Sequence, residues 1–336
     1  MLRVLAFLCL LMSALGRAEA EPGLHWQFAE PSSLGWSADK LRSAQALVMS
    51  GGTTALVIVQ GDQVIARWGD VGRPINVRSV RKSFISSLYG IAIADGKIDR
   101  DRSLEQLGID DRPPSLTTGE KQATVRDLLM ARSGIYHDAA YETKQMKAAR
   151  PERGSHPWGS FWYYNNWDFN VLGAIYRQET GEDIFASFDR RIAKPIGMES
   201  FNPASGRYVV EPASEYPAYP FRMSALDAAR FGLLYLQHGE WNHRQLVPAD
   251  WIAESTKAWS RTDRDGIGYG YLWWVLPKEV AGEGAYAAEG SGGQVIAIMP
   301  EFGLVVVRTV DEPDIRPHNA RLRLQDLLKL IVAARR

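Results

Sequence analysis

The stretch Arg78 to Lys97, RSVRKSFISSLYGIAIADGK, constrains the fold more than any other part of the chain. Its apolar residues Val80, Phe84, Ile85, Leu88, Ile91 and Ala92 recur close to a 3.6-residue period, and Asp95-Gly96 is a stop signal. The pattern predicts a mostly buried helix. Ser79 stands at its start and Lys82 three residues on. Residues at that spacing share a helix face, so a hydroxyl and an amine can meet there. The first turn also offers free backbone N–H groups and the positive end of the helix dipole, which favour an attacking alkoxide and the oxyanion it creates. The pair therefore reads as an activated nucleophile.

The spacing S-x-x-K carries little weight alone, because chance supplies it about once in a chain this long. It occurs twice here. Ser37-Ala-Asp-Lys40 also fits, but it opens a short, Ala-rich amphipathic helix in which Ser37 reads as a plain N-cap.

The 336 residues, 46% of them hydrophobic, suffice for one large core or two joined ones. Residues 1–20 read as a secretory signal: a basic start at Arg3, an apolar run from Val4 to Leu15, then Ala18-Glu19-Ala20 as a small-x-small cleavage site. That run is too short for a permanent anchor. The only cysteine, Cys9, lies inside it, so the expected mature protein is exported, periplasmic or secreted, without disulfides or thiolate metal sites. With 39 basic and 39 acidic residues, the chain has no charge bias toward nucleic acid or an anionic membrane. It has no P-loop, no dinucleotide-binding glycine run and no H-E-x-x-H, and no cofactor or metal is expected.

Predicted strands cluster at both ends of the chain. Thr54 to Gln60 and Gln63 to Gly69 are joined by a Gly61-Asp62 hairpin signal; Tyr269 to Leu276, Gln294 to Met299 and Leu304 to Val310 follow late. Helices fill the middle, and Asn319 to Ala334 closes the chain. The expectation is an α/β (α+β) fold: an antiparallel sheet from both termini, flanked by helices and carrying a large, mostly helical insertion. In residue terms this is one unit over 21–336, with 21–75 and 258–336 forming the sheet part and 76–257 the helical part. Residues 137–160, rich in charge, Gly and Pro, read as a surface excursion bordering a cleft between the two.

Two further stretches bear on chemistry. In Trp162-Tyr-Tyr-Asn-Asn-Trp167 a tyrosine near a lysine can exchange the serine proton, and an asparagine can donate to a substrate carbonyl while accepting from the lysine. Two registers overlap, Tyr163/Asn165 and Tyr164/Asn166. In Tyr286-Ala-Ala-Glu-Gly-Ser-Gly-Gly-Gln294, glycines allow close backbone approach to a ligand, and an N–H there can complete an oxyanion hole with that of Ser79.

Taken together and in this order, these residues resemble the serine β-lactamase and penicillin-binding-protein superfamily, in the branch of class C β-lactamases, D-alanyl-D-alanine carboxypeptidases and related esterases. The resemblance spans most of the chain. It includes Thr124-Val-Arg-Asp-Leu-Leu with Ser133-Gly134-Ile, Tyr164-Asn-Asn166 with Val171-Leu-Gly173, Asp227 to Gly239, Gly268 to Trp274 and Gly292 to Pro300. The distance to Gly173 selects the Tyr164 register. The resemblance implies acyl transfer: Ser79 attacks a carbonyl, Lys82 and Tyr164 handle its proton, Asn166 orients substrate, and the N–H groups of Ser79 and Ser291 form the oxyanion hole.

One departure bears on substrate. Where the branch usually carries Lys-Thr-Gly or His-Thr-Gly, this chain has Ala288-Glu289-Gly290, so the cation that would pair with a β-lactam or peptide carboxylate is missing and a carboxylate stands in its place. The Gly-x-x-Gly-Gln run and Trp273-Trp274 look more like the 6-aminohexanoate-oligomer hydrolases and esterases of the same fold. Glu289, Gly290 and Ser291 are thus candidate substrate-binding residues, with Glu289 favouring neutral or amine-bearing substrates. The expected substrate is a small ester or amide. Alternatives are a carboxypeptidase or β-lactamase, and, in another class, a non-catalytic binding or sensor protein on the same fold. A Ser-His-Asp hydrolase fits poorly, since no G-x-S-x-G occurs and the histidines, His137 among them, read as surface or loop residues.

Overall fold

The computed structural model describes residues 25–264, 266–315 and 322–335; the signal-like segment 1–20 lies outside them. Among the described residues the main sheet has nine strands: β1 (Gln27–Phe28), β2 (Ala55–Gln60), β3 (Gln63–Gly69), β4 (Ser260–Arg261), β5 (Gly268–Tyr269), β6 (Trp274–Val275), β7 (Tyr286–Gly290), β8 (Gln294–Met299) and β9 (Leu304–Thr309). Their order is β1-β3-β2-β9-β8-β7-β6-β5-β4. The first and last parts of the chain meet at the centre, where β2 pairs with β9 from Ala55↔Thr309 to Gln60↔Leu304. Every neighbouring pair is antiparallel except the edge strand β1, which runs parallel to β3. Within β2, β8 and β9 the runs Ala55–Val59, Val295–Met299 and Leu304–Val307 are continuously apolar and buried, because both faces are covered.

The helix Ala225–Leu236 lies on the sheet, although it falls in the part of the chain read as the helical insertion. A Cβ on its Gly232 would stand 2.4 Å from Val305 Cγ1 and 3.0 Å from Ile296 Cγ2, so the helix sits flush on β8 and β9. The closing helix, Leu324–Ala333, buries Leu324, Leu327, Leu328 and Ile331.

The helix Arg81–Ala94 runs through the middle of the molecule with residues 81–92 all buried. Phe84 meets Phe188, Phe221 and Phe231 at ring distances of 5.0, 5.3 and 4.8 Å, a burial worth roughly 1.5–3 kcal/mol for that side chain. Three of its polar side chains are satisfied across the core. Ser83 Oγ donates to Leu272 O and Ser86 Oγ to Tyr271 O, both at 2.8 Å, and Tyr89 OH donates to Leu172 O at 2.7 Å.

The single strand expected over Tyr269 to Leu276 is instead a hairpin, β5 and β6, with Tyr269 paired to Trp274. The intervening backbone is taken up elsewhere: Tyr271 N donates to Ser255 O at 2.8 Å, and Leu272 N to Leu129 O at 3.1 Å. Gly270 allows this, because a Cβ there would stand 2.1 Å from Ser255 O.

Candidate active site

Ser79 lies in a single turn of 3-10 helix, Arg78–Val80, that leads directly into the Arg81–Ala94 helix. Residues three apart nearly eclipse in such a turn, which brings Lys82 under Ser79. Lys82 Nζ lies 3.1 Å from Ser79 Oγ. It is also 2.7 Å from Tyr164 OH and 3.0 Å from Asn166 Oδ1. Ser79 is half-buried while Lys82, at 2% exposure, is sealed from solvent.

The loop before the helix Asn166–Thr180 sorts its two tyrosines and two asparagines by direction. Tyr164 and Asn166 turn to Lys82, whereas Tyr163 OH donates to Met146 O at 2.9 Å. Asn165 caps the helix, accepting from Trp167 N at 3.1 Å, and its Nδ2 donates to Ile135 O at 2.6 Å and Asp168 Oδ1 at 3.0 Å. Ser133 Oγ donates to the same Asp168 oxygen at 2.6 Å. The Ser133-Gly134-Ile135 segment therefore serves as the brace that fixes the tyrosine loop. His137 is buried in this region and not on the surface, with its ring nitrogens beside Asp138 O and Arg112 O.

Burial holds the Lys82 amine well below the usual lysine range, and the neighbouring Arg81 guanidinium adds to that effect. Arg81 is itself enclosed: its Nη2 reaches Asn170 Oδ1 at 3.4 Å and its guanidinium lies over the Tyr219 ring at 4.6 Å. The Tyr164 phenol is pushed up to about 12 by burial, against a hydrogen bond from Ser79 that lowers it. Both directions favour the uncharged form. In its neutral form the amine has a lone pair free to take a proton.

Asn166 Nδ2 donates to Tyr141 O at 2.8 Å, so this side chain ties Lys82 to the 137–160 excursion. Tyr141, which no local pattern in the sequence singles out, has φ +68° and accepts at its hydroxyl from Asn76 Nδ2 at 2.9 Å and Arg78 Nη1 at 3.3 Å. Arg78, beside the serine, also has positive φ, +55°. Strained non-glycine backbone on both flanks of the site persists only where its surroundings over-determine it.

The strand β7 closes the other side. Gly290 approaches the serine turn so tightly that a Cβ would stand 2.5 Å from Val77 O. Ser291, next in the chain, is exposed in the tight turn to β8. Glu289 does not stand as a bare carboxylate. Arg264 holds it in a bidentate pair, Nη1 to Oε1 at 2.9 Å and Nη2 to Oε2 at 3.2 Å. The Arg264 guanidinium lies 4.5 Å from the centre of the Trp274 ring, and Trp274 stacks on Tyr164 at 5.3 Å and 23°. A cleft of about 850 Å³ opens against Tyr164 and Trp274, walled by Met146, Phe161, Trp162 and Trp259.

A sheet made by both ends of the chain, a helical insertion, and a Ser-x-x-Lys helix entering between them define a protein of the serine β-lactamase and penicillin-binding-protein fold. The chain belongs to the Beta-lactamase family, whose model matches residues 42–328. Solved structures agree. A protein described as a 6-aminohexanoate-dimer hydrolase from Bacillus anthracis is similar with a TM-score of 0.68 at 22% identity, covering 86% of this chain and 81% of that one. An octameric penicillin-binding protein homologue from Pyrococcus abyssi gives 0.67 at 18%, with coverage of 88% and 77%. A penicillin-binding protein from Bacillus halodurans gives 0.63 at 16%, covering 86% and 99%. At these identities the likeness is one of fold. No curated protein matches the sequence.

Proposed function

We propose that this protein is a serine hydrolase that cleaves an uncharged ester or amide through an acyl-enzyme on Ser79. The observation that carries the reading is the contact of one buried amine with three groups: Lys82 Nζ within 3.1 Å of Ser79 Oγ, Tyr164 OH and Asn166 Oδ1. A protein that only bound ligand would gain nothing from burying an amine against a serine, at the desolvation cost this carries.

The steps follow from the groups present. Neutral Lys82 takes the Ser79 proton as Oγ bonds to the carbonyl carbon, and the carbonyl π pair becomes the oxyanion. The backbone N–H groups of Ser79 and Ser291 receive that charge. As the tetrahedral intermediate collapses, Tyr164 gives its proton to the departing oxygen or nitrogen and recovers one from the Lys82 ammonium. Water then attacks the acyl-enzyme, losing a proton to the same pair, and Ser79 leaves with a proton restored.

The Ala288-Glu289-Gly290 strand carries no cation of its own, and the one beside it, Arg264, is already paired with Glu289, which supports ester or linear amide cleavage over β-lactamase or carboxypeptidase action. One structural relative bears the name of a 6-aminohexanoate-dimer hydrolase, in keeping with that reading. The test is turnover of 4-nitrophenyl acetate and labelling by a fluorophosphonate, each compared with Ser79→Ala. Turnover lost in the variant is expected; a wild-type protein that neither turns over nor labels is a binding protein. A chromogenic cephalosporin should be cleaved slowly or not at all.

A further inference from the structure

The Arg264–Glu289 pair offers more than a neutral patch. Glu289 sits on β7 immediately before Gly290, whose backbone abuts the serine turn, and pairs with Val295 across the sheet. Its side chain is 18% exposed, against 36% for Arg264. Thr262 fixes the loop that carries Arg264: its Oγ1 accepts from Arg264 N at 3.1 Å and donates to Ile267 O at 2.7 Å. The guanidinium is then clamped between a carboxylate and the Trp274 ring, and Trp274 leans on Tyr164. Both charges are felt at the Tyr164 phenol, in opposite directions, so both lie within electrostatic reach of the reacting groups.

We propose that this pair sets the charge preference of the site: Glu289 occupies the guanidinium fork that a substrate carboxylate would otherwise bind, so substrates are selected to be uncharged where they meet β7. The end-on fork is filled by an internal partner already in place without loss of translational freedom, and that carboxylate cancels the guanidinium charge that would draw an anion to the remaining N–H groups. A substrate anion therefore meets a compensated cation with the Glu289 carboxylate beside it, unless it displaces Glu289. Removing Glu289 leaves a fixed cation beside the site; removing Arg264 leaves a fixed anion. The two changes are opposite in sign, which no merely structural role of the pair would produce.

The inference rests on the hydrolase reading for the word substrate, and the experiment separates the two. Rates on 4-nitrophenyl acetate, mono-4-nitrophenyl glutarate and the 4-nitrophenyl ester of betaine give kcat/KM ratios for neutral, anionic and cationic acyl groups on one leaving group. Glu289→Gln is expected to raise the anionic-to-neutral ratio on the order of tenfold, as one uncompensated charge at this range does, and Arg264→Gln to raise the cationic-to-neutral ratio similarly. In a Ser79→Ala background, equilibrium dialysis reads the same preferences as affinities. Ratios within twofold of the parent in both single variants overturn the proposal. Shifted affinities with no turnover in the parent uphold the charge preference and remove the hydrolase reading.

Discussion

Lys82 Nζ stands 2.7 Å from Tyr164 OH in a site where burial disfavours charge on either group. In the proposed mechanism the amine must be neutral to take the serine proton, so activity should rise with pH through the lowered Lys82 pKa. Arg81 adds to the lowering, and its removal lets that pKa climb. Arg81→Met should move the acidic limb of the kcat/KM profile to higher pH, with activity falling more at pH 6 than at pH 9. Exchanging a buried guanidinium for an apolar side chain of similar length should leave stability unchanged or raised. An unmoved acidic limb would show that the amine does not set the rate.

Tyr164→Phe tests the phenol with little disturbance, because the ring keeps its packing on Phe169 at 4.9 Å and on Trp274. A proton delivered to the departing atom is worth about 10²–10⁴ in rate where that atom is a poor leaving group. The loss should be of that size on alkyl esters and amides and much smaller on 4-nitrophenyl esters, whose phenolate departs unaided. Equal losses on both would assign the phenol to the attack step.

Local patterns in the sequence carried the serine helix and the Gly61-Asp62 hairpin, since each depends on periodicity or turn residues within a short window; they placed strands at both ends of the chain but not the pairing of β2 with β9, which joins segments about 250 residues apart. Residues 268–275 were opaque for the opposite reason. GYGYLWWV is apolar throughout, and nothing in it reveals that the N–H groups of Tyr271 and Leu272 reach Ser255 and Leu129. The tyrosine loop was half legible: the step from Asn165 to Asn166 separates a brace from a partner of Lys82, yet adjacent asparagines look alike until the backbone direction is known. Arg264 left no trace, because a cation in an irregular loop, 25 positions before its partner, belongs to no period. A lone Glu289 beside the site was the natural reading without it.

Gly290→Ala should separate geometry from stability. The added Cβ would meet Val77 O at 2.5 Å, two residues before Ser79, so β7 and the serine turn must part by several tenths of an ångström. Misplacement of this order costs about 10²-fold in rate when reacting groups are held by packing. A drop of that size in kcat is expected, out of proportion to the modest fall in thermal midpoint that the same clash brings. Unchanged kcat would show that the spacing of β7 and the serine turn is irrelevant to turnover.

Asp168 should report on the brace through the pH dependence of stability. It is fully enclosed, and burial first, then the charge of Asp127, raises its pKa well above the usual carboxylate range despite the hydrogen bonds from Ser133 and Asn165. The folded state therefore holds a proton that the unfolded chain releases at about pH 3.9. Between that pH and the folded pKa the native protein binds more protons, so its stability falls as pH rises and then levels off. Asp168→Asn keeps an acceptor for Ser133 and cannot ionise. Urea unfolding of the two proteins from pH 4 to pH 9 should show the parent losing stability relative to the variant with rising pH. A difference that stays constant with pH would mean that Asp168 remains ionised beneath the tyrosine loop, and that Ser133 and Asn165 stabilise its charge fully.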